Sequence, residues 1–414
     1  MKNFPFINGI LHAESVAVTD LMEHYGSPLY IYSRAEIESN WQQYKQAFSE
    51  HPHLICYSVK SNSNLAVLNI LAKLGSGFDV VSIGELHRVI SAGGDPARCV
   101  FSGVGKTVSE VQEALGIGIY CFNIESESEL DRVISVAESM GVTAPISIRV
   151  NPDVDAKTHP YISTGLKGNK FGVDIESALE LYRKAEKSSS LKVCGVDYHI
   201  GSQITEVSPF MDALDKALDM IRQLASEGIK IEHLDIGGGI GIDYDNTQTI
   251  DISSYIKDVI NRVDGLEIIV EPGRSIVGSA GIFVTKVEYL KQNSNKSFVI
   301  VDGAMNDLLR PSLYNAHHNA IVVHESENGI SETWDIVGPV CETGDFLAKD
   351  RYMTIAEGDY IALTSVGAYS FSMSSNYNTR PRAAEVMVWE NNHTIVRERE
   401  TIAELYKNEK VLND

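Results

Sequence analysis

At 414 residues the chain is too long for one ordinary globular core and suits a large barrel with a second domain. Its 43% apolar and 22% charged residues are those of a soluble globular protein. A formal net charge of −21 argues against nucleic acid or an anionic membrane as a main partner, but leaves room for a small anion at a local basic site.

The opening stretch MKNFPFINGILHAESVAVTD has no sustained apolar segment after a basic end, so no signal peptide is expected. No apolar run approaches the roughly 18 residues of a membrane helix. Within this stretch FPFINGILHAESV reads as a hairpin that joins the C-terminal β region. From residue 53 to about 270, strand-like and helical patterns alternate. The strand-like runs are residues 53–60, 77–81, 98–102, 119–123, 145–150, 193–200, 232–236 and 267–270. Helical patterns fall at 64–74, 84–92, 127–140, 175–187, 209–227 and 254–263, and Ser126 with Glu129 makes a capping box for the third. Parallel strands need crossovers, so the alternation predicts a parallel sheet. About eight such units favour a closed (β/α)8 TIM-like barrel over a doubly wound open sheet. After about residue 278 short β-rich runs such as GIFVTKVEYLKQ, TWDIVGPV and AAEVMVWENN predict an antiparallel β-barrel or sandwich. The expected division is residues 27–277 for the barrel, with residues 1–26 and 278–414 forming the β domain. The charged tail KNEKVLND is expected to be disordered.

Cys56, Cys99, Cys121, Cys194 and Cys341 are odd in number and form no C-x-x-C pair. A disulfide framework or a metal site is not expected, and a reducing cytoplasm fits best. The first four lie in apolar runs and read as buried thiols. Cys341 sits among turn formers and acids in VGPVCETGD.

Barrel enzymes place their chemistry at the C-terminal ends of strands. Those ends carry Lys60, Asp79, Asn151, His199, Gly237-Gly238-Gly239 and Glu271. Lys60, in YSVKSN, either exits to solvent or stands in the barrel mouth. There apolar walls would lower its pKa, and a neutral amine condenses with an aldehyde. DIGGGIG is not a dinucleotide fingerprint, because Ile242 occupies the last glycine position of the frame. It is either a tight turn or a run of backbone N–H groups suited to a phosphate. GVGKT is not a Walker A loop, since Val100 stands where its first glycine belongs. In IIVEPGRSIVG, Gly273 and Arg274 can add anion contacts. Glu271 suits the protonated nitrogen of a pyridine ring, or else a neighbouring cation. His199, in DYHIGSQI, can stack on a flat ring or simply pack, and Ser202 offers a hydroxyl to a phosphate. Together these groups describe a pyridoxal 5'-phosphate site.

The stretches YSVKSNSN, FDVVSIGEL, RVNPDVDAKTHPYISTGLKGNKFG, YHIGSQI, DIGGGIG, EPGRSIVG, NDLLRPSLYNA, GPVCETGD and GAYSFSMSSNYNTRPRAAEV resemble diaminopimelate decarboxylase. That family belongs to the alanine-racemase-like, fold type III class of pyridoxal phosphate enzymes. The resemblance runs from about residue 25 to 390. SGVGKT departs from it, since the family more often has an asparagine before the lysine. The resemblance implies the same two-domain fold, with the cofactor on Lys60, His199 on one face of its ring and Glu271 at its nitrogen. Ser202, Gly238, Gly239, Gly273 and Arg274 match the cofactor-binding motifs, and Arg274 is also placed at the substrate. Tyr369 matches a tyrosine that contacts both cofactor and substrate.

Arg310 and Tyr314 stand at i and i+4 in RPSLY, so one helical turn puts them on one face. In the family these positions bind the distal carboxylate of meso-diaminopimelate. By the same resemblance Cys341 protonates the α-carbon and Glu342 grips the distal amino group. In the family both are supplied across a homodimer interface. The implied activity is the last step of bacterial lysine biosynthesis, decarboxylation to L-lysine. The rivals are related basic amino-acid, polyamine-precursor or siderophore-precursor decarboxylases, an alanine-racemase-like enzyme, and a barrel-only cofactor carrier. Among the first, a diamine substrate with no distal carboxylate would have no use for the RPSLY arginine. The second needs a tyrosine base where this chain has Cys341, and the third lacks a β domain. Residues 158–170, with glycines at 165 and 168, suit either a lid or a static loop.

Overall fold

The computed structural model describes residues 2–155, 169–245, 249–324 and 329–412. Most of the segment read as a lid or a static loop, residues 158–168, lies outside the described residues. The chain divides into two compact units. One is Glu38–Ile242 with Gln248–Ser275, and the other is Met1–Ile37, Asp243–Thr247 and Ile276–Asp414.

The first unit is a closed barrel. Its eight described strands run in chain order: His53–Ser58, Gly77–Val80, Cys99–Phe101, Cys121–Ile124, Ala144–Val150, Leu191–Tyr198, His233–Asp235 and Glu267–Val270. The last pairs parallel with the first, Ile268 opposite His53, which closes the sheet and excludes the open alternative. Such strands are covered by helices outside and packed inside, so they read as continuous apolar runs. Leu54, Cys56, Val100, Cys121 and Ile269 form one interior cluster. Burial pushes the Cys99 thiol up to about 12 and those of Cys56 and Cys121 well above their usual value, so these sulfurs are inert.

Two local readings change. The Ser126 hydroxyl does accept the Glu129 N–H at 3.2 Å, but the Glu129 carboxylate turns to the Glu125 N–H and to Lys106. The reciprocal capping box forms instead at Thr107 and Glu110, opening a helix over Val108–Ile117 that the apolar pattern did not single out. GVGKT is therefore a helix start. Its Lys106 is buried and donates to Glu129 and to the carbonyls of Gly103 and Asn123. All three ammonium protons are used, so this lysine is structural.

The second unit holds a nine-stranded sheet and the small N-terminal sheet of Phe6–Ile7, Ile10–Ala13 and Val16–Ala17. The Leu11 N–H bonds the Val323 carbonyl, and Phe4 and Leu11 pack in one core with Val284 and Val386. Most pairings are antiparallel. Ser297–Val301 with Ile330–Val337 and Leu29–Ser33 with Ala384–Trp389 are parallel. Leu29–Ser33 also pairs with Gly281–Gln292, so these residues, grouped with the barrel by sequence, extend the β sheet. The long excursion between residues 33 and 384 is the crossover that a parallel pairing requires. No helix among the described residues is long and apolar enough to cross a membrane.

Candidate active site

The first barrel strand ends at Ser58, two residues before Lys60. Lys60 lies in a single 3-10 turn, Val59–Ser61. The turn is folded by local hydroxyls: Ser61 Oγ donates to the Ser58 carbonyl at 2.8 Å and Tyr57 Oη to the Asn62 carbonyl at 3.0 Å. Lys60 Nζ reaches Asp79 Oδ2 at 2.6 Å. The apolar surround expected for this amine is thus corrected: its side chain is 38% exposed and its near neighbour is a carboxylate. Burial opposes the charge on Asp79. The Lys60 ammonium and the Ser58 and Ser102 hydroxyls outweigh it and hold the carboxyl below its usual range.

Beside this pair lies a cluster of buried acids. Asp197, Asp235 and Glu271 bring carboxylate oxygens within 4.8 Å of one another. Asp197 Oδ1, Asp235 Oδ2 and Glu271 Oε1 are buried with no hydrogen-bond partner among the described residues. Arg149 is the neighbouring cation, 3.3 Å from Glu125 and 3.9 Å from Asp197. Burial first, then the neighbouring carboxylates, push Glu271 and Asp197 well above the carboxylate range. Burial also raises Asp235, to about 7. The cluster therefore shares protons at neutral pH.

This has a measurable consequence for the cofactor-free protein. The folded chain keeps a proton on Asp235 that the unfolded chain releases near pH 4, so stability falls as pH rises from there to about 7. Asp235→Asn should flatten that fall, by up to about 1.4 kcal/mol per pH unit across the window. The check is Tm at pH 5 and pH 8. A slope equal to wild type would mean that Asp235 does not take up a proton on folding.

His199 follows the strand Leu191–Tyr198, and its Nδ1 accepts the Gly238 N–H at 3.2 Å. Burial, then the charges of Arg149 and Lys60, push the ring down to about 3, so it is a neutral imidazole at pH 7. The glycine turn is dictated by close approach. A Cβ on Gly238 would lie 2.2 Å from the Glu271 carbonyl, and one on Gly239, at φ +107°, 2.4 Å from the Gly201 carbonyl. The run of open N–H groups expected here is only partly open. Gly237 donates to Asp235 and Gly238 to His199. Gly239 carries the N–H of the three that has no partner among the described residues. Arg274 Nη2 donates to Ser202 Oγ at 3.1 Å, and Ser202 adjoins the Gly201 carbonyl that faces Gly239. A Cβ on Gly273 would press to 3.0 Å on Ser58 and Ser61, which links this corner to the Lys60 turn.

The remaining expected residues belong to the β unit. Arg310 and Tyr314 open and close the helical turn Arg310–Tyr314. Arg310 is buried, with Nη1 2.9 Å from His318 Nε2 and its guanidinium 5.0 Å from the Tyr244 ring centre. Tyr314 and Tyr369 are half-buried, and Tyr369 sits at φ +55°, a strained conformation for an aromatic residue. Cys341 and Glu342 are exposed on one loop.

The barrel residues fit a phosphorylated pyridine aldehyde. They offer an amine at Lys60, a flat neutral ring at His199 and an anion corner at Gly239, Ser202 and Arg274. Glu271 Oε1, buried and lacking a donor, meets the need of a ring N–H. Sequence reasoning assigned no task to Asp79, Asp197, Asp235 or Arg149. The available signal was an ionisable residue inside an otherwise apolar barrel strand.

Residues 34–278 match the family described as pyridoxal-dependent decarboxylase, pyridoxal binding domain. The fold is that of this class, and the cofactor is pyridoxal 5'-phosphate. The chain is 54% identical over 408 residues to the diaminopimelate decarboxylase of Vibrio cholerae, covering 98% of each chain. It is 53% identical to that of Pseudomonas aeruginosa, with 100% of both chains covered. The crystal structure of diaminopimelate decarboxylase from Helicobacter pylori complexed with L-lysine aligns with a TM-score of 0.92. That alignment has 46% identity and covers 95% of this chain and 99% of that one. The chain belongs to the diaminopimelate decarboxylase family.

Proposed function

We propose that this chain decarboxylates meso-2,6-diaminopimelate to L-lysine and carbon dioxide, the last step of bacterial lysine biosynthesis. The observation that carries the choice of substrate is Arg310, a guanidinium buried on a helical turn with Tyr314 at i+4. An arginine fork beside a phenol suits a carboxylate, which a substrate such as ornithine lacks at its far end.

When bound, pyridoxal phosphate supplies the electron sink for the α-carbon. Lys60 anchors it through its amine, and Asp79 holds that amine in place. Glu271 would meet the ring nitrogen and favour a proton there, with Asp235 sharing the proton load. His199, a neutral plane, would take one face of the ring. Gly238, Gly239, Ser202, Gly273 and Arg274 hold the phosphate end, and Tyr369 contacts cofactor and substrate. Arg310 and Tyr314 take the distal carboxylate, Glu342 the distal amino group, and Arg274 the substrate as well. Cys341 Sγ carries the proton that replaces the lost carboxylate. The exposure of Cys341 and Glu342 supports a homodimer in which this pair completes the partner's site. The four buried, unpaired thiols support a reducing cytoplasm.

The test is carbon dioxide release from meso-diaminopimelate, L-lysine, L-ornithine and L-arginine. Release from ornithine and none from diaminopimelate would overturn the reading. Arg310→Met should lower kcat/KM for diaminopimelate by roughly 30- to 100-fold, mostly through KM, the scale of a lost charge-assisted hydrogen bond. A KM equal to wild type would remove Arg310 from the substrate.

A further inference from the structure

The reading of Cys341 as proton donor leaves open what aims an exposed thiol on a surface loop. Three side chains pin that loop, the first being Ser312, whose Oγ donates to the Gly344 carbonyl at 2.6 Å. Buried Asp345 accepts the Val340 N–H at 2.8 Å through one oxygen and the Met305 N–H at 2.6 Å through the other. Asn378 Oδ1 then accepts the N–H of Cys341 itself at 2.9 Å.

The backbone that presents Asn378 is strained. Asn378 and Thr379 both lie in the left-handed region, at φ +57° and +56°. Asparagine tolerates that region, whereas a β-branched threonine there is an outlier. Neighbouring side chains brace the segment. Asn376 Nδ2 donates to the Arg380 carbonyl at 3.0 Å. Arg382 donates to Ser374 Oγ at 3.1 Å, Asn376 Oδ1 at 2.9 Å and Glu400 Oε1 at 3.0 Å. Arg380 Nε donates to Asn306 Oδ1 at 3.0 Å. Relaxing residues 378 and 379 to ordinary angles would turn the Asn378 amide away from Cys341.

An exposed hydrogen bond adds little to folding, because water competes for both groups. Folding stability therefore gives no reason to keep two strained residues and a braced loop for this one contact. Orientation does, since a small misplacement of a reacting group is expensive in rate.

We propose that Asn378 is a positioning residue for Cys341: its amide oxygen fixes the Cys341 backbone and so the direction from which the thiol proton arrives. This rests on the reading of Cys341 as the proton donor. Neither Asn378 nor its neighbours need touch the substrate.

The experiment uses purified holoenzyme. Asn378→Gly keeps the positive φ and removes the acceptor, and Asn378→Asp keeps an acceptor oxygen. Asn378→Gly should lower kcat about tenfold, with KM for diaminopimelate within about twofold of wild type, whereas Asn378→Asp should stay within about threefold. In deuterium oxide, Asn378→Gly should place deuterium at the decarboxylated carbon of lysine with reduced stereochemical purity. In a Cys341→Ala background, Asn378→Gly should change kcat by less than about twofold, because the residue acts through the missing thiol. Glycine takes the positive φ at no steric cost, so the Asn378→Gly holoenzyme should melt like wild type; a large fall in Tm would mark Asn378 as a structural residue and overturn the inference. A tenfold loss in both backgrounds, or unchanged kcat and stereochemistry, overturns the inference. If Cys341→Ala alone keeps wild-type kcat, the proton-donor reading fails first and the inference falls with it.

Discussion

Lys60→Ala should turn diaminopimelate over about ten-thousand-fold more slowly than the wild-type chain, the scale of losing a covalent group from a catalytic unit. Borohydride should no longer fix the cofactor to the chain. The turn Val59–Ser61 holds Lys60 so that its amine donates to Asp79. Lys106, which also follows a barrel strand, has its protons committed to Glu129 and two carbonyls and cannot substitute. The substitution also leaves Asp79 buried without its cation. In the wild type the depressed Asp79 pKa contributes stability above its unfolded value near pH 4, lost as pH falls through the lower folded pKa. Without Lys60, burial is the leading influence and the sign reverses. The variant should be destabilised at pH 7 and relatively recover toward pH 4, which thermal melts at the two pH values would read. Full turnover by Lys60→Ala, or an undiminished borohydride-sensitive linkage, would remove Lys60 from its role.

Glu271→Gln should lower kcat by roughly 10²- to 10³-fold, the usual loss when one preorganised electrostatic partner is removed. The amide has the same shape, but it presents no negative charge to favour a protonated ring nitrogen. Glu271 Oε1 is buried without a donor among the described residues, and Asp235, Asp79 and Asp197 reinforce the burial that keeps the carboxyl protonated in the cofactor-free chain. A neutral amide removes the cost of keeping a proton that the unfolded chain has released at pH 8. The cofactor-free variant should therefore be at least as stable as wild type at pH 8, while catalysis collapses. Loss of activity together with loss of folding would instead mark Glu271 as a structural residue. Wild-type kcat at saturating cofactor would contradict its assignment to the ring nitrogen.

The sequence was a good guide to whatever local pattern controls. The strand Glu267–Val270 and the helix Glu127–Met140 fall where periodicity and caps put them. Lys60, His199 and Glu271 follow the strand ends because a parallel barrel strand stops where its apolar run stops. Partner-dependent features were harder. Ser126 and Glu129 satisfy the spacing of a capping box, yet buried Lys106 draws the Glu129 carboxylate away. Leu29–Ser33 has the apolar pattern of a barrel strand, but its hydrogen-bond partners lie at residues 281–284 and 384–388.

The amino-acid sequence by itself determined the alternation of strands and helices, the residues at the strand ends and the RPSLY turn. These depend on side-chain period and on neighbours a few positions away. Only the tertiary structure decided that Lys60 meets Asp79, that Asp197, Asp235 and Glu271 converge, and that Asn378 holds Cys341. Those groups stand 19 or more residues apart along the chain, and barrel closure or sheet pairing must bring them together. Their pKa values follow from that burial and proximity, neither of which any local pattern encodes.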